Sequence, residues 1–362
     1  MVHATGTHGK ATAGPLLPGA TRLMSRLLPL VAGLCGIAGL LVFVNPRSVA
    51  TAFGRFDAWT LLPALLLVLV FYLLQGLRWH LLLRNVGARG RITDNQLINL
   101  AGQALTAVLP LGDLTRAVLA TRSSGVEFGA TAATVTIQEL TFTLLVVAAA
   151  APGLAHLPNG VVWMLAVTVG IIAIVALLTV PRLFDVARRS AAATPGVRRF
   201  IRDIEVLHVE VRRLLGRRDV LAGAVLDLGR VFCANAALLL ILRGLHIESL
   251  AWWDVALVLA ASFVGGALSL LPGGIGANEA SVVGILVMLG VNPAAAAAAA
   301  ILQRVSLTLV PTVGGSLAYL VLRRRRTLTC HTTTEPHRSR DAFRTVPGAS
   351  STLEKLPAVS AC

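Results

Sequence analysis

Charged residues are scarce in this sequence, at 14% of the chain, where a soluble domain carries about 25%. That is too little charge to cover a water-facing surface. Cysteine is scarce as well. Cys35 and Cys233 fall in hydrophobic runs and Cys330 and Cys362 in a polar tail, so neither a disulfide framework nor a metal motif forms. The eight histidines lack paired ligand spacing, and nothing calls for a metal or another cofactor. No glycine-rich loop precedes a lysine, which removes a nucleotide site of the phosphate-loop kind, and no Ser/His/Asp arrangement is visible. Lysine is almost absent, with 2 residues against 30 arginines.

Apolar residues are abundant, at 56% of the chain with a mean hydropathy of +0.77. They come in runs rather than at helical or strand spacing. A run of roughly 18 or more marks a bilayer-spanning helix, and such runs occupy most of the sequence from Leu27 to Leu322. The expected fold class is an all-α polytopic membrane protein. The formal charge of +15 would suggest a nucleic-acid partner in a soluble protein. Here the arginines cluster between hydrophobic segments and read as topology determinants, so no nucleic acid is expected.

Three regions follow. Residues 1–26 are rich in Gly, Thr, Pro and Ala and are expected to be a disordered arm. Residues 27–322 form the membrane domain, and 323–362 a disordered basic tail, too short for an enzymatic domain. Six full spans are expected: Leu27–Val44, Leu61–Leu77, Thr131–Ala151, Val161–Val180, Val220–Leu242 and the run from Ala294 to Leu322. Ser48-Val49-Ala50 resembles a signal-peptidase site, but the preceding core is long for a signal peptide, and an uncleaved first helix is preferred. Residues 181–218 carry ten arginines against four acids. Val206, Val209, Leu214 and Leu215 fall there at roughly helical spacing, which predicts a cytoplasmic amphipathic helix.

Two segments are too short for simple spans. Leu97–Leu109 runs into Pro110-Leu111-Gly112 and a short piece from Asp113 to Ala120. Val255–Leu271 runs into Pro272-Gly273-Gly274-Ile275-Gly276 and a short helix, Glu279–Leu289. The short arms reach about half of a core of about 30 Å, so both segments read as re-entrant hairpins. With the N-terminus inside, the arm, Arg78–Arg91, 181–218 and Arg323–Arg326 place 21 Lys and Arg on the cytoplasmic side. Both termini are then cytoplasmic, in the inner membrane. Each hairpin joins a Leu-Pro break to glycine and a following acid, and the two enter from opposite faces. Paired broken helices of opposite orientation suggest an inverted repeat with a midplane binding site.

An ionisable residue inside the membrane is costly and is a functional candidate by default. The candidates are Asp113, Arg116, Glu139, Asp227, Arg230, Glu279 and Arg304. A broken helix exposes backbone N–H groups and a positive dipole end, which favours an anion. Arg116 and Arg304 supply forked donors suited to phosphate. The proposed lining is Pro110, Gly112, Asp113, Arg116, Glu139, Pro272, Gly273, Gly274, Gly276, Glu279 and Arg304. Plainer readings stand beside these. Asp113 and Glu279 restart helices and suit caps, Asp227 and Arg230 suit a structural ion pair, and Arg304 can snorkel.

Taken together, Arg78-Trp79, Leu-Pro-Leu-Gly-Asp-Leu-Thr-Arg at 109–116, Pro-Gly-Gly-Ile-Gly-Ala-Asn-Glu at 272–279, and Arg304 with Pro311 and Gly314-Gly315 resemble the lysylphosphatidylglycerol synthase transmembrane, flippase-like family. The stand-alone members near hopanoid and glycolipid genes are the most similar in kind. The family usually has Glu at the position of Asp113, and often an Arg beside the acid of the following span, absent around Glu139. The resemblance implies the lipid-translocating part of such a synthase without its aminoacyl-transferase domain, and so no enzyme activity. The expected cargo is an anionic phospholipid or polyprenyl-phosphate-linked lipid. Competing expectations are a membrane-embedded lipid enzyme, an ion-coupled anion transporter, and a scaffold for a lipid-synthesis enzyme docking through 181–218.

Overall fold

A computed structural model describes residues 46–106, 114–155, 157–192, 201–269 and 272–332. The expected first span at 27–44, the arm at 1–26, and Pro110, Gly112 and Asp113 lie outside the described residues. Among the described residues every regular element is helical. We number the helices α1 (Pro46–Gly54), α2 (Leu61–Asn85), α3 (Ile92–Thr106), α4 (Leu114–Ser124), α5 (Phe128–Leu154), α6 (Gly160–Thr179), α7 (Pro181–Ala192) and α8 (Ile201–Leu215). The remainder are α9 (Arg218–Ala222), α10 (Ala224–Gly244), α11 (Trp252–Ser269), α12 (Ala277–Met288) and α13 (Pro293–Thr332). Among the described residues, six helical segments are long and apolar enough to cross a membrane. The protein is a multi-pass, all-α membrane protein.

The six are not quite those expected. Leu61–Leu77, Thr131–Ala151, Val161–Val180, Val220–Leu242 and Ala294–Leu322 each fall within or overlap one of them, and the sixth is α11, expected as an arm of the second hairpin. With 18 residues it reaches about 27 Å, close to a full crossing. Its partner α12 has 12 residues and reaches about 18 Å. The second hairpin therefore has one long and one short arm. The last helix continues ten residues past the boundary expected at Leu322, to Thr332.

Helices α2–α5 and α10–α13 are two copies of one arrangement. Each is a long helix, a pair of helices separated by seven positions in the sequence (106 to 114 and 269 to 277), and a second long helix. The packing obeys the same correspondence: α2 lies on α10, α5 on α11 as α13 on α3, and α4 on α5 as α12 on α13. A glycine seats each crossed pair. Gly153 of α5 rests on the Trp253 carbonyl and Leu257 of α11, and Gly315 of α13 on the Leu100 carbonyl and Ala104 of α3. The central pair is antiparallel, since Gly244 at the end of α10 meets Thr60 at the start of α2, while Asp227 near the start of α10 binds Arg78 towards the end of α2. Antiparallel equivalents make the repeat an inverted one.

Lipid is as apolar as leucine, so these helices associate by close packing and polar contacts rather than by escape from water. The alanine run shows this. Ala296 to Ala300 at the start of α13 are all buried, and their small side chains let neighbouring backbones come close. The helices α6–α8 interrupt the two repeats. α6 packs on α5, α7 and α8, and Val161, Val162, Leu165, Val169 and Ile172 face outward.

The amphipathic prediction for 181–218 needs correction in two respects. The segment forms α7, α8 and the start of α9 rather than one helix, and of the expected apolar face Leu214 and Leu215 pack inward while Val209 does not. Val211 and Leu214 are buried with Leu82, Ala133 and Ile137, while Val209 is 61% exposed. α8 therefore docks on α5. The basic stretch Arg78–Arg91 is likewise not all loop, because α2 continues to Asn85 and Arg78 is buried.

Candidate functional site

The deepest feature of the molecule is a chain of charged side chains between the helices. Arg78 Nε of α2 binds Asp227 Oδ2 of α10 at 3.1 Å, and Arg230 Nη1, one turn further on, binds Asp227 Oδ1 at 3.0 Å. Arg230 Nη2 lies 3.7 Å from Glu139 Oε2 of α5, and Arg116 Nη2 of α4 binds Glu139 Oε1 at 2.9 Å. Three arginines face two carboxylates, so the five groups carry a formal charge of +1. Neutral groups complete the shell. Arg116 Nη1 donates to Asn99 Oδ1 at 2.9 Å and to Gln138 Oε1 at 3.2 Å, and Gln75 Nε2 donates to Glu139 Oε1 at 3.3 Å. Arg230 also lies over the rings of Phe71 and Phe142, 4.8 and 4.3 Å from their centroids, a cation–π contact worth about 2 kcal/mol when desolvated.

Placing these charges in hydrocarbon singly would cost about 3 kcal/mol each, so the sequence pairs them and makes room for them. A Cβ on Gly223 would sit 2.1 Å from Arg78 Nη1, and one on Gly102 would sit 2.3 Å from Arg116 Cγ. Both glycines are the space their arginines occupy. Arg78, Arg116, Asp227 and Arg230 have essentially no exposed surface, whereas the Glu139 side chain keeps 31% of its own. Glu139 is thus the member of the chain that can be reached from outside.

A second pair stands at the Pro-Gly-Gly break. Gly273, Gly274 and Gly276 all have positive φ, at 57°, 64° and 87°, a conformation that glycine tolerates and other residues resist. A Cβ on Gly274 would also fall 2.9 Å from Gly266 Cα, so α11 and the break touch backbone to backbone. Glu279 Oε2 accepts from the Gly276 N–H at 2.7 Å. The helix end expected to hold an external anion is therefore satisfied by its own glutamate. Glu279 Oε1 lies 2.9 Å from Arg304 Nε, and Arg304 Nη1 donates to the Gly273 carbonyl at 2.7 Å. Arg304 Nη2 has no hydrogen-bond partner, and the side chain is 21% exposed.

The two pairs are equivalent under the repeat. Arg116 is the third residue of α4 and Glu139 the twelfth of α5; Glu279 is the third residue of α12 and Arg304 the twelfth of α13. In each half the short arm is pinned by an ion pair to the following long helix, with the signs exchanged. Tyr72 links the halves. Its hydroxyl donates to the Leu307 carbonyl, one turn beyond Arg304, at 2.8 Å, and its own carbonyl accepts from Gln96 at 3.1 Å and Asn99 at 3.5 Å.

This geometry fits a known family. The family model for the lysylphosphatidylglycerol synthase TM region matches residues 30–315. The chain belongs to this family. No curated protein matches it. The LPG synthase TM region is a module of membrane proteins that handle lipids, and this chain is one.

The expected site residues divide accordingly. Arg116 and Glu139 come together, as do Gly273, Gly276, Glu279 and Arg304; Gly274 lines the break, and Pro272 opens it. Arg116 is fully enclosed by Asn99, Gln138 and Glu139 and offers no exposed surface. Asp227 and Arg230 do form the expected i, i+3 pair, but within a larger chain. Glu139 takes its arginine partners, Arg116 and Arg230, from other helices. Sequence reasoning missed Gln75, Asn99 and Gln138 and the buried role of Arg78. Polar residues inside otherwise apolar helices were the available signal for all four.

Proposed function

We propose that the protein moves a phosphate-bearing anionic lipid between membrane leaflets, with the head group passing the break at Pro272–Gly276. The observation that carries this reading is Arg304, a half-buried cation pinned by Glu279 and the Gly273 carbonyl with one guanidinium nitrogen unsatisfied. A guanidinium held in that way is suited to phosphate, which takes forked N–H donors. Glu139 is the second accessible group. It bridges Arg116 and Arg230, and a phosphate arriving there would compete for both arginines. The inverted repeat supports the same reading, since it supplies two equivalent hairpins of opposite orientation around one centre.

In this account the protein is a carrier and not an enzyme, and it lies in the cytoplasmic membrane. The excess of arginine in 84–91, 181–218 and 323–326 puts those segments and both termini in the cytoplasm. The test is leaflet-resolved lipid analysis of cells with and without the gene. Loss of the gene is expected to leave one unmodified phospholipid or polyprenyl-phosphate-linked lipid accumulated in the inner leaflet. Unchanged sidedness with a lipid altered in chemical form would overturn transport in favour of a membrane-embedded enzyme or a scaffold for one.

A further inference from the structure

The face of α2 and α3 turned away from the buried charges holds a groove that the transport reading does not use. It is lined by Leu73 and Leu77 of α2 and by Ile92, Thr93, Gln96 and Leu97 of α3, and its volume is about 440 Å³, within the usual range for a ligand site. Leu73 and Ile92 are 46% and 48% exposed, so the groove opens sideways, where the acyl chains of a bilayer lie. At one end it meets a basic turn. Arg84 lies on the same face of α2 as Leu73 and Leu77, Arg91 directly precedes Ile92, and Arg89 lies between them; all three are exposed. At the inner edge, Gln96 donates to the Tyr72 carbonyl, which Asn99 also reaches, and Asn99 holds Arg116.

We propose that this groove is a binding site for one anionic phospholipid, with an acyl chain against Leu73, Leu77 and Leu97 and the head group on Arg84, Arg89 and Arg91. The occupant is fixed by charge and shape together. An apolar recess ending in three exposed arginines matches a molecule with a hydrocarbon chain and a negative head. A second copy of the chain would have to bring its own acids to this point. Each basic side chain near an anionic lipid surface contributes attraction of about 1 kcal/mol, so the turn selects charge while the groove selects the chain. The site borders the polar network through Gln96 without belonging to it, and it binds whether or not the protein translocates lipid.

The test uses the full chain in nanodiscs of equal phosphatidylglycerol and phosphatidylcholine. Lipid retained on release is counted by native mass spectrometry, and phosphatidylglycerol with a photoactivatable acyl chain maps the contact. Wild type is expected to retain phosphatidylglycerol preferentially and to cross-link within 73–77 and 92–97. In the R84Q/R91Q variant, whose changes are exposed, that preference falls about thirtyfold. In L77W/L97W, which fills the groove, the cross-link disappears while the Arg304 pair is untouched. Equal retention of the two lipids by wild type, an unchanged preference in R84Q/R91Q, or cross-links to a second copy would overturn the proposal. A protein that binds here yet leaves lipid sidedness unchanged in cells would refute transport alone.

Discussion

At the scale of single residues, the organising fact is that no charge in the membrane interior of the described structure is left without a partner. Asp227 is the most heavily committed acid, holding Arg78 and Arg230 at 3.1 and 3.0 Å. D227A would take from Arg78 the carboxylate it binds and leave Arg230 with Glu139 at 3.7 Å. Removing one partner of a buried pair costs about 3–5 kcal/mol, and thermal unfolding of the detergent-purified variant should show a loss of that size. Gly223 gives a second test. It sits between α9 and α10, a cap position where glycine is preferred to alanine, and an added Cβ would stand 2.1 Å from Arg78 Nη1. G223A is expected to lower the melting temperature, and a rise would show that Arg78 is freely displaced. Much of this was legible. Arg116, Glu139, Glu279 and Arg304 stood out because charge is rare in apolar runs. Their pairing was not legible, because partners such as Arg230 and Glu139 lie 91 positions apart and only packing joins them.

Among the elements, the interhelical insert shows where sequence reasoning reached its limit. The amphipathic character of 201–215 was plain, but its apolar residues cover a wide arc, and only the neighbours decide which part is buried. α8 turns Val211 and Leu214 towards α5 and leaves Val209 outside. It also stacks His208 on Phe184 of α7, with centroids 3.7 Å apart and planes 8° apart. Burial of the imidazole, with Arg212 nearby, holds the His208 pKa below its ordinary value, although Asp185 opposes this. A depressed histidine binds fewer protons docked than undocked, so the contribution of the stack is full above about pH 6.5 and declines as the pH falls further. Amide protection factors in 181–192 should therefore fall between pH 7.5 and 5.5 in wild type and lose this dependence in H208F. The two hairpins were legible as short arms around breaks. The length of α11 was legible too, since the apolar run Val255–Leu271 is close to the 18 residues of Trp252–Ser269.

For the whole molecule, the inverted repeat explains why the sequence similarity between the halves is thin. The halves share a seven-position separation between the two middle helices, a glycine seat for each crossed pair, and an ion pair between residue three of the short arm and residue twelve of the long helix. The residues themselves differ, and the charges of the pair are exchanged, so position-by-position comparison finds little. This exchange also makes the halves unequal in function. The arginine of the first half is enclosed, and that of the second is partly exposed and has a buried Nη2 without a hydrogen-bond partner. The account therefore predicts that Arg304 matters through phosphate contact and Arg116 through the position of Glu139. E139Q should weaken transport and also stability, since it leaves Arg116 and Arg230 facing a neutral group. R304Q should weaken transport and also lower the melting temperature, because the Glu279 carboxylate it leaves behind is buried and keeps only the Gly276 N–H.

The most direct measurement is translocation of a fluorescent phosphate-bearing lipid by purified protein in vesicles, with wild type compared with R304Q and E279Q at equal incorporation. The account predicts lipid movement by wild type well above empty vesicles and at least about a tenfold loss in R304Q, the scale of one lost charged hydrogen bond, with E279Q also impaired. Translocation that persists at the wild-type rate in both correctly folded variants would contradict the assignment of the Pro272–Gly276 break as the path of the head group.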